Sequence, residues 1–517
     1  MTETASDTLL LMLHPGDHVA VARRGLEPGT TLTEGVIRIS AQDAVPAGHK
    51  IALTDIGEGE PIRKYGQVIG FAMRAIIAGE HVHSHNLTAG TFGREHALAT
   101  DATPLQMHDP AAVPTFEGYL RPDGRVGTRN YIAVVSSVNC SASTARYVVD
   151  RFRDPAMLRD YPNVDGVIAV THKTGCCVQP GEPAAQLERV LAGFARHPNV
   201  AAYVMIGLGC ETNQMSVLVE NQRLNIQRPG EAAPTFLTIQ EVGGIRQTVE
   251  RATEAVASLL PVANAIRRTT QPAGALVLGE QCGGSDAHSG ITANPAVGFA
   301  ADELIRCGGA AVLAETPEIY GAEHLLTRRA VSTAVAEALL ERIAWWEEHV
   351  AMHGASIDNN PTYGNKQGGL TTIYEKSLGA VAKAGQAPLS AVYRYAERID
   401  RPGLGFMDTP GYDPVSMTGL AAGGCNVGVF TTGRGSVYGC KPMPCIKIAS
   451  TSDLYQRMSD DMDLDAGGIL DGSETVEEVG RRLFELILAV ASGKRTRSEL
   501  NGVGDEEFAP WMLGPTL

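Results

Sequence analysis

The sequence predicts a small β-rich N-terminal domain followed by two α/β domains with largely parallel sheets. Residues 9–86 contain short apolar runs separated by Gly, Pro and Asp, which is typical of short strands joined by tight turns. From Phe116 onward, β-branched apolar runs alternate with longer segments of helical spacing, which predicts parallel strands with crossover helices. The same alternation restarts at Leu276–Leu278, so two α/β domains are expected.

Changes of pattern along the chain set the expected domain limits. The segment after the β-rich domain has no sustained period and mixes Gly, Thr, His, Asp and Pro, which is typical of a linker. In the first α/β domain, the strand-like runs Tyr131–Val138 and Ala202–Ile206 are each followed by helical spacing, as at Ile245–Leu260. The expected ranges are 1–90 for the β-rich domain, 91–115 for the linker, 116–268 for the first α/β domain and 269–517 for the second.

Composition and charge exclude several classes of partner. The 517-residue chain has a formal net charge of -15 and no long run of either sign, which argues against nucleic acid or an anionic membrane as partner. It contains neither a signal peptide nor an apolar run of about 18 residues, so a cytoplasmic protein is expected. Nine cysteines are too few for a disulfide scaffold, so they are interpreted as thiols, metal ligands or reactive groups. Homo-oligomerisation is a further expectation.

Four cysteines share one position relative to the predicted strands. Cys140, Cys176, Cys210 and Cys282 each follow an apolar run, usually with glycine beside them. Ligands of open α/β sheets bind outside the carboxyl ends of the strands, where side chains from separate strands can converge. Thiolates favour iron and zinc, so the pattern predicts a soft metal site, although a strand-end cysteine can also be a small buried hydrophobe. The other cysteines lack this register and are interpreted as packing residues: Cys177, Cys307, Cys425, Cys440 and Cys445.

The segment 79–86 places three histidines at every second residue. On a strand, His81, His83 and His85 would share one face, because side chains alternate with a period of two. Three imidazoles on one face can bind a divalent metal. The tract can equally be a solvated turn, because such composition is only a hint. The functional interpretation predicts that the N-terminal domain contributes to the active site through these histidines.

Three polar, glycine-rich loops supply candidate groups for a hydroxylated ligand. They span residues 282–295, 360–366 and 431–435. A polyhydroxylated acid needs many hydrogen-bond donors and acceptors, with a cation for its carboxylate. Each loop alone can instead be a tight turn between core elements. No Gly-x-Gly-x-x-Gly or Walker-type loop occurs in its required context, which argues against a nucleotide-dependent redox enzyme.

Together these motifs resemble the altronate and galactarate dehydratase family. The resemblance covers nearly the whole chain and includes Gly48–Ile56 and Val126–Asn130. It is strongest at Gly207–Glu211, Cys282–Asp286, Ser289–Pro295, Gly364–Lys366 and Thr432–Gly435. It implies a SAF-like N-terminal domain, two α/β domains and a divalent metal, with iron(II) expected and manganese or an iron–sulfur cluster as alternatives. Residues 81–86 and 317–326 are more similar to the altronate branch, whereas residues 438–445 depart from the family pattern.

The resemblance implies a hydro-lyase that dehydrates a sugar acid, with conversion of altronate to 2-keto-3-deoxygluconate as the first expectation. A metal can assist both the loss of the proton next to the carboxylate and the departure of the hydroxyl, with a general acid or base nearby. The alternatives are a dehydratase of galactarate or another sugar acid, a carbon–sulfur lyase acting on sulfolactate, and a non-catalytic sugar-acid sensor.

Residue chemistry then assigns roles to individual side chains. Arginine and lysine provide the positive charge that a carboxylate needs, and small polar groups can hold hydroxyls. The catalytic candidates are His172, Lys366 and Asp286. The candidates for binding the substrate are Arg129, Ser285, Ser289, Asn294, Asn365 and Arg434. The candidate metal ligands are Cys140, Cys176, Cys210, Cys282, His81 and His83.

Overall fold

The computed structural model describes residues 9–34, 37–90, 93, 96–227 and 230–514. It confirms the predicted fold class, because a domain of short strands precedes two α/β domains whose central sheets are entirely parallel. Among the residues described, no helix is both long and apolar enough to cross a membrane.

The N-terminal domain consists of short antiparallel strands. They are β1 (Leu10–Leu11), β2 (Val19–Ala22), β3 (Thr31–Glu34), β4 (Ile37–Ser40), β5 (Lys50–Ala52), β6 (Pro61–Lys64), β7 (Gln67–Ala72), β8 (His81–Val82) and β9 (Leu87–Thr88). The sheets run β1-β2-β5-β8, β3-β4 and β6-β7-β9. Ile51, Ile62 and Val82 of these strands are fully buried. The turn residues seen in the sequence therefore separate the strands as predicted.

Two strands that flank the first α/β domain pair with each other. After the linker, β10 (Thr115–Leu120) and β11 (Val126–Gly127) form a hairpin, and the later strand β16 (Thr269–Pro272) pairs antiparallel with β10. The first α/β domain thus begins and ends at neighbouring points. The expected division near residue 268 falls at the start of this strand pair.

The first α/β domain has a four-stranded parallel sheet in the order β13-β12-β14-β15. Its strands are β12 (Tyr131–Ser136), β13 (Gly166–Val170), β14 (Val200–Gly207) and β15 (Thr235–Thr238). Its helices are α1 (Asn139–Asp150), α2 (Pro155–Leu158), α3 (Glu182–Ala195), α4 (Met215–Asn221), α5 (Ile239–Val242) and α6 (Ile245–Ala265). Strands β12 and β14 are buried nearly throughout, because helices cover both faces of the sheet.

The last domain has a seven-stranded parallel sheet in the order β19-β20-β18-β17-β21-β22-β23. Its strands are β17 (Val277–Cys282), β18 (Ala310–Leu313), β19 (Leu389–Tyr393), β20 (Gly403–Met407), β21 (Val427–Thr432), β22 (Cys445–Ala449) and β23 (Leu464–Asp465). Its helices are α7 (Ala293–Arg306), α8 (His324–Thr327), α9 (Thr333–Met352), α10 (Tyr363–Gln367), α11 (Ile373–Val381), α12 (Asp413–Gly423), α13 (Ser452–Arg457), α14 (Gly468–Asp471), α15 (Val476–Ala491) and α16 (Arg497–Leu500).

The N-terminal domain shares its core with the last domain. Val19 and Ile62 of the N-terminal domain belong to the same buried cluster as Ile319 and Leu378 of the last domain. Apolar burial of this kind is the main stabilising contribution to folding and association. The two domains therefore form one packed unit, although the first α/β domain lies between them in sequence.

Candidate active site

The seven-stranded sheet changes direction of winding between β17 and β21. From β17 the chain builds the sheet toward β18 on one side, and it later returns to β21 on the other side. The loops after these two strands bond to each other, because the amides of Gly433 and Arg434 donate to the carbonyl of Gly284 at 3.1 and 2.7 Å. Such a switch point is the usual ligand crevice of open α/β sheets.

A cavity of about 580 Å³ lies at this switch point, between the last domain and the N-terminal domain. Asp286, His288 and Arg434 line it from the loops after β17 and β21, and Arg457 lines it from α13. The N-terminal domain contributes Leu9, Arg23, Arg24 and Ala47. The cavity is large enough for a six-carbon acid, and both domains are needed to enclose it.

Asp286 and His288 form a buried polar pair on the cavity wall. Asp286 accepts hydrogen bonds from the amide and hydroxyl of Ser289, both at 2.8 Å, and from the hydroxyl of Ser450 at 3.1 Å. Burial alone would raise the pKa of Asp286, but hydrogen bonds from His288 and Ser289 outweigh it and lower the pKa. Asp286 is therefore a fixed carboxylate, and its Oδ2 lies 3.5 Å from Nδ1 of His288.

The other ring nitrogen of His288 is buried and has no hydrogen-bond partner among the described residues. Two glycines make room for this pair. A Cβ on Gly433 would lie 2.1 Å from Cγ of Asp286, and a Cβ on Gly48 would lie 2.9 Å from Cε1 of His288. His288 lines the cavity, and an imidazole that is oriented by a carboxylate and has an unpaired second nitrogen can act as a base.

Four arginines surround the same cavity. Arg23 and Arg24 come from the N-terminal domain, whereas Arg434 and Arg457 come from the last domain. In the part of the chain that the structure describes, no ion pair involves any of the four, and the buried Nε of Arg23 has no hydrogen-bond partner. Asp453 and Asp471 also line the cavity, so it offers cations for carboxylates and acceptors for hydroxyls.

Three imidazoles of the N-terminal domain meet the carboxyl end of α10. His49 Nδ1 lies 3.0 Å from His81 Nε2, and the ring of His83 stacks on that of His49 with centroids 4.9 Å apart. Nε2 of His49 and of His83 bond to the carbonyls of Gln367 and Lys366. Burial first, then neighbouring positive groups, lowers the pKa of His81 to about 3 and that of His83 to about 4. These rings are therefore neutral.

The predicted strand face of three histidines is only partly present. β8 ends at Val82, so His83 and His85 lie beyond the strand in a turn, and His85 is exposed. His49, which the sequence analysis did not select, lies beside the rings of His81 and His83, and the ring of His85 lies 5.4 Å from that of His81. The prediction that the histidines of this segment reach the α/β part of the chain agrees with the contacts of His83 with α10.

Cys282 lies in a separate buried cluster at the end of β17. Its Sγ is 2.7 Å from Nζ of Lys383, 3.6 Å from Glu318 and 3.9 Å from Glu315. Among the residues described, Cys282, Glu315 and Glu318 are the one group whose ligand atoms all lie within 4.8 Å of one another. Lys376 also pairs with Glu318. The ammonium groups of Lys383 and Lys376 therefore already supply the positive charge that a metal cation would bring to this acidic cluster.

The four predicted cysteines do not form one site. Cys140, Cys176 and Cys210 follow β12, β13 and β14 of the four-stranded sheet and are at least partly exposed, whereas Cys282 is buried in the other sheet. The sequence register was correct for each strand end, but it carries no information on which sheet a strand joins. The prediction of one four-thiolate site is therefore wrong.

Two other predicted residues hold the fold rather than face the cavity. All five N–H groups of Arg129 are used, by Glu499 at 2.6 and 2.8 Å and by three backbone carbonyls, so none remains for a substrate carboxylate. His172 bonds to the carbonyl of Ser136 and accepts from the amide of Thr174, and burial lowers its pKa to about 4. Arg129 therefore does not bind substrate and His172 is not a free base. Both have structural roles because their nitrogen atoms are already hydrogen-bonded.

The remaining predicted residues lie near the cavity and mostly shape its loops. Ser289 fixes Asp286, Asn365 donates to the carbonyl of Ser285, and Asn294 joins α7 to Gly379 and Thr431. The hydroxyl of Ser285 is buried without a described partner. The carbonyl of Lys366 accepts from His83, and its side chain is half-buried. Of the predicted set, Asp286 and Arg434 line the cavity itself.

Sequence analysis missed several residues of the cavity. His288 stands two residues after Asp286 in a loop that was selected, so the spacing Asp-x-His was the available signal. Arg23 and Arg24 gave no signal, because nothing in a sequence shows which distant loop will close a cavity. His49 lies within a stretch that carried the family resemblance, next to Gly48.

Comparison with known proteins gives matches along the chain. Family models match residues 8–90 (altronate/galactarate dehydratase SAF domain), 118–264 (D-galactarate dehydratase/altronate hydrolase, second domain) and 273–516 (D-galactarate/altronate dehydratase, C-terminal). Galactarate dehydratase (L-threo-forming) of Escherichia coli K12 is 40% identical, over 94% of this chain and 93% of its own. The altronate dehydratases of Bacillus subtilis 168 and Escherichia coli K12 are 34% and 35% identical, each over 98% of this chain and 99% of its own.

Proposed function

The chain belongs to the galactarate and altronate dehydratase family and is a sugar-acid hydro-lyase, and from this premise we propose that the cavity between its N-terminal and last domains is the active site. The observation that carries the proposal is the Asp286–His288 pair on the wall of a cavity edged by four arginines, with Nε2 of His288 unpaired among the described residues. A dehydratase of a polyhydroxylated acid needs a base beside a bound carboxylate, and this cavity offers both.

His288 is the base in this proposal. Its Nε2 removes the proton from the carbon next to the carboxylate, while Asp286 holds the opposite nitrogen and stabilises the imidazolium that forms. An arginine such as Arg434 balances the charge that develops on the carboxylate. The carbon–oxygen bond at the next carbon then breaks, and the hydroxide leaves as water with the proton from His288. The enol that remains tautomerises to a 2-keto-3-deoxy acid.

A divalent metal, iron(II) or manganese, is also part of the proposal. The cluster of Cys282, Glu315 and Glu318 does not fit a cation, because Lys383 and Lys376 already balance its charge. The imidazoles of the N-terminal domain are the other candidate donors, since neutral imidazole is the form that binds metals. His81 and His83 would be the ligands of the ion once Nε2 of His83 is released from the carbonyl of Lys366, whereas both ring nitrogens of His49 are already bonded. When bound, it would act as a Lewis acid that stabilises the carboxylate-derived enolate and the departing hydroxide.

The placement of the four arginines, two from each domain, favours a diacid such as galactarate as the substrate, although three aspartates line the same cavity. Each domain contributes two arginines, and a six-carbon diacid carries a carboxylate at each end. Altronate has an uncharged hydroxymethyl group at the second end, so one arginine pair would be left without a partner. Altronate is nevertheless the second candidate, because two relatives that match 98% of this chain are altronate dehydratases.

A substrate panel tests the proposal. Galactarate, altronate and sulfolactate are incubated with the metal-loaded chain, and the keto acid is measured, with sulfite as the readout for sulfolactate. We expect galactarate to give the highest kcat/KM. Replacing Arg24 by Gln should lower kcat/KM for galactarate by about 10- to 100-fold, the cost of a lost charge-assisted hydrogen bond, and should leave altronate nearly unchanged.

The matched control is Arg63→Gln, which removes an exposed arginine of the same domain that does not line the cavity. This variant should behave as the unaltered chain. Faster turnover of altronate would reject the diacid and leave altronate as the substrate. Faster release of sulfite would reject both sugar acids. The expected cytoplasmic location and homo-oligomerisation stay predictions, the second open to sedimentation analysis.

A further inference from the structure

The accessible thiols of the chain are concentrated at one edge of the four-stranded sheet. Cys140, Cys177 and Cys210 are exposed and Cys176 is partly exposed, whereas the other five cysteines are buried. Free cysteine is among the residues most often buried, so several accessible thiols in one place are unexpected in a packed protein. A bound group that uses the sulfur atoms would explain their position.

The three loops that carry these thiols are tied together. The amide of Asn139 donates to the carbonyl of Thr174 at 2.9 Å, and the amide of Thr212 donates to the carbonyl of Cys176 at 2.7 Å. The loops follow β12, β13 and β14, which are neighbours in the sheet. Winding reverses between β12 and β14, so this edge is the switch point of the four-stranded sheet, the usual place for a ligand.

Polar groups of the protein lie beside two of these thiols. Cys140 is the second residue of α1, whose first turn has no side-chain cap, so the residue lies at the positive end of the helix dipole. The amide Nε2 of Gln240 donates to Sγ of Cys210 at 3.3 Å. The nearby carboxylate of Glu211 is already engaged by Ser137, Leu208 and Gly209. Its role is to fix the loop of Cys210.

We propose that Cys140, Cys176 and Cys210 bind an iron–sulfur cluster at this edge, a site distinct from the dehydratase cavity. Three thiolates around a single zinc or iron ion at about 2.3 Å would lie about 3.8 Å apart. Over the described parts of the chain, these sulfurs do not all lie within 4.8 Å of one another. A cluster binds each cysteine through a different iron atom, so it accommodates a wider spacing.

The test uses the full chain, purified without oxygen and reconstituted with ferrous iron and sulfide. We expect bound iron, acid-labile sulfide and visible sulfur-to-iron absorption. Each of the variants Cys140→Ser, Cys176→Ser and Cys210→Ser should lose most of the sulfide and the absorption, while circular dichroism stays unchanged. The matched control is Cys177→Ser, because Cys177 is exposed and its sulfur lies 3.9 Å from that of Cys176. This control should retain the cluster.

Three outcomes would overturn the proposal. The reconstituted chain could hold no sulfide, it could hold zinc or iron without sulfide, or Cys140→Ser and Cys210→Ser could hold as much sulfide as the unaltered chain. The variant His81→Gln distinguishes the cluster site from the imidazoles of the N-terminal domain. It should leave the sulfide content unchanged. Failure of the cluster would leave the dehydratase proposal untouched, since that rests on the other sheet.

Discussion

Glu375 of α11 joins the N-terminal domain to the last domain, so its replacement by Gln should weaken their contact strongly. Its carboxylate is fully buried and accepts from Lys50 at 2.9 and 3.0 Å and from Lys64 at 2.9 Å. The amide and hydroxyl of Thr371 bond to it as well. Glutamine keeps the shape but removes the negative charge, which leaves two buried ammonium groups without a counter-ion.

The expected cost follows from that uncompensated charge. Breaking a buried ion pair by removing one partner typically costs about 3–5 kcal/mol. Both lysines belong to the N-terminal domain, so undocking would return them to water and relieve the cost. At about 1.4 kcal/mol for each factor of ten, the undocked population should rise by about 100-fold to several thousand-fold.

Hydrogen exchange measures this opening. Amides of β5, β8 and α11 should exchange at least about 100-fold faster in Glu375→Gln, because exchange there needs the domains to separate. The control Glu182→Gln removes an exposed ion pair with Arg189 and should cost less than about 1 kcal/mol. Unchanged exchange in Glu375→Gln, or an equal effect in the control, would refute the reasoning. Replacing Lys50, Lys64 and Glu375 together by Met should restore much of the docking.

The ion pairs of Glu375 also make the docking of the N-terminal domain dependent on pH. Burial would raise the pKa of Glu375, but Lys50 and Lys64 outweigh it and hold the pKa below its usual range. A carboxyl with a lowered folded pKa stabilises the docked state fully above its unfolded pKa, about 4.3. The contribution is lost as the pH falls through the lower, folded value. Exchange of the contact amides should therefore accelerate in acid, and Glu375→Gln should remove most of that dependence.

Two further predictions concern catalysis. His288→Asn should lower kcat by about 10²- to 10⁴-fold with an unchanged circular dichroism spectrum. The control His353→Asn, which changes an exposed histidine, should keep the rate of the unaltered chain. Near-normal turnover by His288→Asn would show that His288 is not the base. Chelation should abolish turnover and ferrous iron should restore it, while His81→Gln and His83→Gln should bind less metal by elemental analysis; full activity of a metal-free sample would reject the metal.

The fold was predictable because each element depends on a local pattern. The apolar run Tyr131–Val138 corresponds to the buried strand β12, and the spacing at Ile245–Leu260 corresponds to α6. Helix and strand periods are set by backbone geometry, so they appear directly in the sequence. Sheet membership is not local, and for this reason Cys282 could not be separated from the other three strand-end cysteines before the structure was known.

The site was predictable only where chemistry and loop position coincide. Asp286 and Arg434 stand in glycine-rich loops after strands, and both line the cavity. Arg129 also stands in a motif, but its charge is satisfied by Glu499, and a sequence does not show whether a cation is already paired. Arg23 and Arg24 reach the cavity because the N-terminal domain docks on the last domain, a contact made by residues more than 300 positions apart.

The two proposed sites lie at the switch points of different sheets, and only one of them depends on docking of the N-terminal domain. The dehydratase cavity exists only while the N-terminal domain is docked, because that domain supplies one of its walls and the imidazoles beside it. The thiols lie on loops of the first α/β domain, whose mutual hydrogen bonds do not involve the N-terminal domain. Undocking in Glu375→Gln should therefore lower turnover in proportion to the undocked fraction and leave the binding of iron and sulfide unchanged. Loss of both together would mean that the two sites are coupled, and the division of function between the two sheets would have to be abandoned.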